Sequence, residues 1–226
     1  MNNSTLIFSS IIDKQSQMAE ELAADFSNPE DYLQSSKKDG VLARALGRKI
    51  ISSQTNTQSE DWTFSREVSG KPLALFCGAS SGVYISISHS ANYIAVAITK
   101  AGAIGIDIEH HKDFQNIQPV SELAFGHLEQ REVIQKGADR FYEIWTAREA
   151  FAKATGRGLE QAANRQDQFP LPLSRGKLCP NTFSEAQSEN WYFGIDYPRT
   201  SLPCTIAVQV QDCKQRSLEW QQENFI

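Results

Sequence analysis

Helix-forming and strand-forming segments in this chain do not alternate; they arrive in blocks. Met18–Phe26 and the stretch from Asp31 to about Ile51 carry apolar residues at helical spacing, Leu33, Val41, Leu42, Ala45, Leu46 and Ile50 falling on one stripe of the second. A polar stretch from Ser52 to Asp61, with no periodicity, predicts a loop. Then come Trp62–Glu67, Val83–Ile87, Tyr93–Thr99 and Ala103–Ile108, short segments rich in aliphatic, β-branched or aromatic residues and separated by Gly, Ser and Asn turns. Helical spacing returns at Val120–Phe125, Leu128–Gln135 and Asp139–Thr155, the last with Asp139 expected as N-cap and Gly156 as the stop. A loop rich in Pro, Gly, Gln and Arg leads to two late strands, Trp191–Tyr197 and Thr205–Val210. Helices then strands thus occur twice, with the split near residues 100–104. The pattern predicts an α+β fold made of two similar halves, residues 1–102 and 103–226, each a small antiparallel sheet packed with helices.

With 226 residues, 40% of them hydrophobic, the chain has enough apolar material for such a core. A net charge of −5 argues against coating nucleic acid or anionic lipid through the overall field. No apolar run reaches the roughly 18 residues of a membrane span, and no basic stretch precedes the short apolar run near the N-terminus, so a soluble cytoplasmic protein and a monomer are expected. Cys77, Cys179, Cys204 and Cys213 show no paired or zinc-type spacing and read as reduced thiols.

Several short motifs could carry chemistry. In Gly105-Ile106-Asp107-Ile108-Glu109, residues two apart on a strand share a face, so Asp107 and Glu109 point together while Ile106 and Ile108 enter the core. Two adjacent carboxylates are tolerated on a solvated face or around a hard divalent cation, and the pentapeptide leaves both open. Glu149 and Lys153 stand at i and i+4 of the third helical block, which suits either a surface ion pair or a third metal ligand beside a cation for a leaving phosphate. Ser88 and His89, at a strand end, could hold phosphate oxygens or simply form a polar edge. Being adjacent they face opposite sides, which disfavours a nucleophile and base pair. Gly70-Lys71-Pro72 reads as a turn feeding a strand. His110 and His111 follow oxygen donors and do not suggest a histidine metal site. Gly156-x-Gly158 lies after a helix, not before one, so it is not a dinucleotide fingerprint.

In chain order, GKP (70–72), SISHS (86–90), GIDIE (105–109) and WTAREAFAKATGRGL (145–159) together resemble the 4'-phosphopantetheinyl transferase family, in its larger pseudo-dimeric type that activates nonribosomal peptide synthetases. The resemblance implies transfer of 4'-phosphopantetheine from coenzyme A to a serine of an apo acyl or peptidyl carrier protein, leaving adenosine 3',5'-bisphosphate. It implies that Asp107, Glu109 and Glu149 hold Mg²⁺, or Mn²⁺, against the pyrophosphate. Lys153 would neutralise charge on the leaving group, and Glu149 or Glu109 would take the serine proton, directly or through water. Lys71, Ser88 and His89 would contact coenzyme A phosphates, with Lys38 taken over Lys37 and Arg44 for the 3'-phosphate. Where the family usually has Lys, this chain has Arg148, which keeps the charge and faces away from Glu149, so little consequence is expected. Rival readings are an inactive carrier-protein binder and a metal-dependent phosphodiesterase acting on coenzyme A. Finally, the stretch from Lys153 to Leu178 carries Lys153, Arg157, Arg165, Arg175 and Lys177 against Glu160 and Asp167, a net +3 that, with Phe169, Leu171 and Leu173, suits docking of an acidic carrier.

Overall fold

The computed structural model describes residues 5–28, 38–111, 117–158, 175–180, 191–210 and 218–225. The chain begins with strand β1 (Thr5–Asp13) and helix α1 (Gln17–Phe26), which Ser16 caps by accepting a hydrogen bond from the Ala19 amide. Helix α2 (Lys38–Thr55) leads through a 3₁₀ turn at Ser59–Asp61 into β2 (Trp62–Arg66), β3 (Pro72–Phe76), β4 (Ala79–Ser90) and β5 (Tyr93–Thr99). β6 (Ile104–Ile108) precedes three helices: α3 (Ile117–Ala124), α4 (His127–Lys136) and α5 (Ala138–Thr155). β7 (Cys179–Pro180), β8 (Trp191–Arg199), β9 (Leu202–Gln209) and β10 (Leu218–Phe225) complete the described elements.

The strands form two sheets, one in the order β10-β1-β5-β4-β3-β2 and one in the order β6-β9-β8-β7. The fold is α+β, as the blocked order of segments requires. β10 returns to the edge of the first sheet, where it runs parallel to β1. One face of the first sheet, through Ile12, Ile85, Ile94, Val96 and Ile98, packs on Leu22 of α1 and Leu42, Leu46, Ile50 and Ile51 of α2. Its other face meets the second sheet: Ile7, Ile11, Ala95 and Ala97 pack against Ile104, Ile106, Ile108, Ile206 and Val208. Beyond the second sheet lies α5, whose Ala147, Ala150 and Ala154 rest on Trp191, Phe193 and Ala207. The layers therefore run helix, sheet, sheet, helix, and β5, covered on both faces, is buried along its whole length.

Several local expectations are corrected. The polar run after Ile51 does not end the helix there, because Ser52 and Thr55 donate their hydroxyls back to the carbonyls of Lys49 and Ile51 and the helix continues to Thr55. The part of that expected helix from Asp31 to Lys37 lies outside the described residues. Gly137 rather than Asp139 caps α5, and Asp139 sits in the first turn, paired with His111 at 3.2 Å. Gly156 ends α5 in the left-handed region, at φ 74°, as a C-terminal glycine should. The short strand β7 interrupts the expected late loop.

Candidate active site

The strand β6 and the helix α5 come together at a glycine. A Cβ on Gly105 would lie 1.8 Å from the Ala150 carbonyl oxygen and 2.7 Å from the Ala154 amide, so only glycine permits this approach. Two residues further on, Asp107 shares the α5-facing side of β6 and meets Lys153. Gly105→Ala is expected to force the helix off the strand, at a cost of at least ~1–3 kcal/mol. A lowered thermal midpoint and lost activity together would show it; a wild-type midpoint would refute the contact.

Asp107 is 3% exposed, so the solvated-face reading of its motif fails for it. Its Oδ1 accepts from Ser88 Oγ at 2.8 Å and from Lys153 Nζ at 2.6 Å, and Lys153 Nζ also donates to Ser88 Oγ at 2.8 Å. Glu109 Oε2 accepts from Ser90 Oγ at 2.7 Å. Burial pushes the Glu149 carboxyl up to about 7, helped by the charges of Asp107 and Glu109 and opposed by Lys153. Glu149, Asp107 and Glu109 are therefore close enough to repel one another.

Of these groups Lys153 lines a cleft of about 610 Å³ between α2, the β2–β3 hairpin, β4 and the end of α5. Arg44, Arg66, Lys71, His89 and Lys153 line it, against Asp39 alone among acids. That lining suits an anionic ligand. Asp39 is itself offset by Lys14, 2.9 Å away. Lys71 Nζ donates to the Ala154 carbonyl at 2.7 Å, bracing the hairpin against the C-terminal turn of α5, and burial lowers its pKa. His89 is exposed on the cleft wall, whereas its neighbour Ser88 is buried behind the carboxylates and spends its hydroxyl on Asp107.

Lys38 is exposed at the start of α2 and does not line the cleft, while Arg44, further along the same helix, does. Helical spacing placed three basic residues near the site but not the direction of each side chain. Lys37 lies outside the described residues. Arg148, where the family usually has Lys, turns toward α4. It is fully buried and paired with Glu129 of α4 at 2.5 Å. His110 stacks on Tyr93 and His111 on Tyr142, which leaves both as packing groups. Of the expected docking stretch, residues 159–174, including Glu160, Arg165, Asp167, Phe169, Leu171 and Leu173, lie outside the described residues. Arg175 is described: it bonds to Asp196 Oδ1 and to the Tyr197 carbonyl.

Sequence reasoning missed Ser86 and Ser90, whose hydroxyls join β4 to β6. The alternation of Ser86, Ser88 and Ser90 within SISHS was the available signal.

Among the described residues, no three His, Cys, Asp or Glu side chains already enclose one point as a metal site would. The donors nevertheless fit a hard divalent cation. Among the described residues Asp107 Oδ2 is buried without a hydrogen-bond partner, and Glu149 is driven toward neutrality by burial and by two neighbouring carboxylates. Both strains are relieved by a cation bound to oxygen ligands.

A strand carrying paired carboxylates, a helix carrying Glu and Lys, and a basic cleft that Lys153 lines are features suited to a phosphate ester. Comparison with known proteins makes the class specific. The family model for the 4'-phosphopantetheinyl transferase superfamily matches residues 103–207. The 4'-phosphopantetheinyl transferase HetI of Nostoc sp. is 26% identical over 159 residues, 66% of this chain and 67% of that protein. The 4'-phosphopantetheinyl transferase Sfp of Bacillus subtilis is 28% identical over 170 residues, 74% of this chain and 66% of that protein. The L-aminoadipate-semialdehyde dehydrogenase-phosphopantetheinyl transferase of Xenopus laevis is 27% identical over 177 residues, 69% of this chain and 57% of that protein. Residues 103–207, a little under half of the chain, thus match the model of this superfamily, and the chain is similar to these transferases over most of its length. The matched stretches span about two thirds of the length of the two bacterial relatives and less of the third.

Proposed function

We propose that this protein transfers the 4'-phosphopantetheine group from coenzyme A to a serine of an apo acyl or peptidyl carrier protein, releasing adenosine 3',5'-bisphosphate. The observation that carries the reading is the convergence of Asp107, Glu109 and Glu149 near Lys153, which lines a basic cleft. Arg44, Lys71 and His89 bind the phosphates of coenzyme A, Arg44 replacing Lys38 as the partner of the 3'-phosphate. Asp107, Glu109 and Glu149 are the residues that would hold Mg²⁺ or Mn²⁺. When bound, the cation supplies positive charge beside the pyrophosphate.

Lys153 sits where charge grows on the leaving phosphate, and a cation acting on developing charge favours the transition state over the ground state. Glu149 or Glu109 takes the serine proton, directly or through water. Ser88 orients Asp107 and Lys153 with respect to each other. The two sheet-and-helix units, each with an 18-residue helix on its outer face, support reading the chain as the pseudo-dimeric type, with halves meeting near residue 102. The basic stretch from Lys153 to Leu178 remains the proposed docking surface for the carrier. No helix among the described residues is long and apolar enough to cross a membrane.

Incubation with coenzyme A and Mg²⁺, with and without an apo carrier, tests the reading by mass spectrometry. Expected is a carrier heavier by one phosphopantetheine, with adenosine 3',5'-bisphosphate formed only when the carrier is present. Cleavage of coenzyme A without carrier would make the protein a phosphodiesterase; carrier binding with no mass change would make it a binder.

A further inference from the structure

β6 is an edge strand of its sheet, and among the described residues only one of its edges has a backbone neighbour. The odd-numbered amides along and just beyond it face β9, as in Glu109 N–H to the Pro203 carbonyl (3.1 Å) and His111 N–H to the Ser201 carbonyl (2.9 Å). The even-numbered amides face β4, where no carbonyl meets them. Three serine hydroxyls do so instead: Ser86 Oγ accepts from Ile106 N–H at 3.1 Å, Ser88 Oγ from Ile108 N–H at 3.4 Å, and Ser90 Oγ from His110 N–H at 3.0 Å. Residues two apart on β4 share a face, so the alternation of the SISHS motif makes the ladder.

The direction of the remaining proton follows from chemistry. A serine hydroxyl has one proton to give, and a backbone amide can only donate to it. With an amide already donating to each oxygen, the proton of Ser88 goes to Asp107 Oδ1 and that of Ser90 to Glu109 Oε2. Each hydroxyl therefore clamps a carboxylate to the amide that follows it in sequence. Ser88 also touches Lys153, whereas Ser90 is 7% exposed, does not line the cleft and bonds to Glu109.

We propose that Ser90 is a positioning residue: its hydroxyl holds the Glu109 carboxylate in the orientation that binds the divalent cation. The inference rests on the transferase reading for its kinetic arm only. Groups that orient a metal ligand in this way are worth about 10–100-fold in metal affinity or activity.

The test uses the whole protein with saturating coenzyme A, titrated with Mn²⁺ and followed by the electron paramagnetic resonance of the free ion. Measurements are made well below the lowest melting temperature of the set. Ser90→Ala is expected to weaken Mn²⁺ binding by about tenfold and to lower kcat, with the KM for coenzyme A within about twofold of wild type. Ser90→Thr, which keeps the hydroxyl, restores Mn²⁺ affinity. In a Glu109→Ala background, Ser90→Ala has no further effect on Mn²⁺, because the residue it acts through is gone. Wild-type Mn²⁺ affinity in Ser90→Ala would overturn the proposal. So would an undiminished effect in the Glu109→Ala background, or a loss that follows melting temperature and is not rescued by Thr. If the wild type bound Mn²⁺ as expected yet modified no carrier, the transferase reading would fall and the role of Ser90 toward Glu109 would stand.

Discussion

Asp107→Ala is expected to slow carrier modification by about 10²-fold or more at saturating Mg²⁺, the scale seen when one electrostatic contact to a reacting centre is removed. Asp107 is buried, holds Lys153 at 2.6 Å and raises the Glu149 carboxyl, so its loss disturbs both groups across from it. Glu149→Gln and Glu109→Ala are expected to lose activity on the same scale, with far-ultraviolet circular dichroism unchanged. Full turnover by any of the three would remove that residue from the proposed metal site.

A linked pH effect gives a second reading of the same site. The carboxyl of Glu149 is raised from 4.5 to about 7, so in the metal-free protein its contribution to stability is complete below about 4.5 and is lost as pH rises through about 7. Above that pH the buried charges repel, and a bound cation relieves them. Mg²⁺ is therefore expected to raise the melting temperature more at pH 8 than at pH 6, since ligands must be deprotonated to bind it. Glu149→Gln should flatten that difference, which differential scanning fluorimetry at the two pH values would reveal.

What the sequence made legible was local. The pair Asp107 and Glu109 could be placed on one side of a strand, and Glu149 and Lys153 on one side of a helix, because those periods are fixed by backbone geometry. Gly156 marked the end of α5 for the same kind of reason. The bonds that assemble the site are different. Ser86 and Ser90 bond across two sheets to amides twenty residues away, and no spacing in either segment announces the other. Gly105 reads as an ordinary strand glycine until the Ala150 carbonyl is seen against it. Arg44 and Lys38 differ in the direction their side chains take from one helix, which depends on the hairpin packed beside it. β1 escaped notice because it buries side chains on both faces, Ile7 and Ile11 toward one sheet and Ile12 toward the helices, which erases the polar alternation of a half-exposed strand. β10 hid for the opposite reason: its run Leu-Glu-Trp-Gln-Gln-Glu-Asn-Phe is mostly polar and takes its place only by pairing with β1.

Arg148 carries the largest expected effect on stability. It is fully buried, its guanidinium lies 5.4 Å from the centre of the Phe125 ring, and it pairs at 2.5 Å with Glu129, itself 2% exposed. The same Glu129 oxygen accepts from the Gly126 amide at 2.9 Å, so one carboxylate both caps α4 and ties it to α5. Removing the guanidinium would leave that carboxylate charged in an apolar cluster of Phe125, Phe141 and Ile144. Breaking a buried pair from one side costs ~3–5 kcal/mol, which for a chain of this size lowers the melting temperature by roughly 10 °C. Arg148→Ala is therefore expected to melt about that much earlier. Arg148→Met combined with Glu129→Leu should recover most of the loss, because no charge is then stranded. Arg148 does not line the cleft, so at low temperature Arg148→Ala should keep the wild-type KM for coenzyme A. A raised KM with an unchanged melting temperature would instead move Arg148 from the packing of α4 on α5 into the binding of substrate.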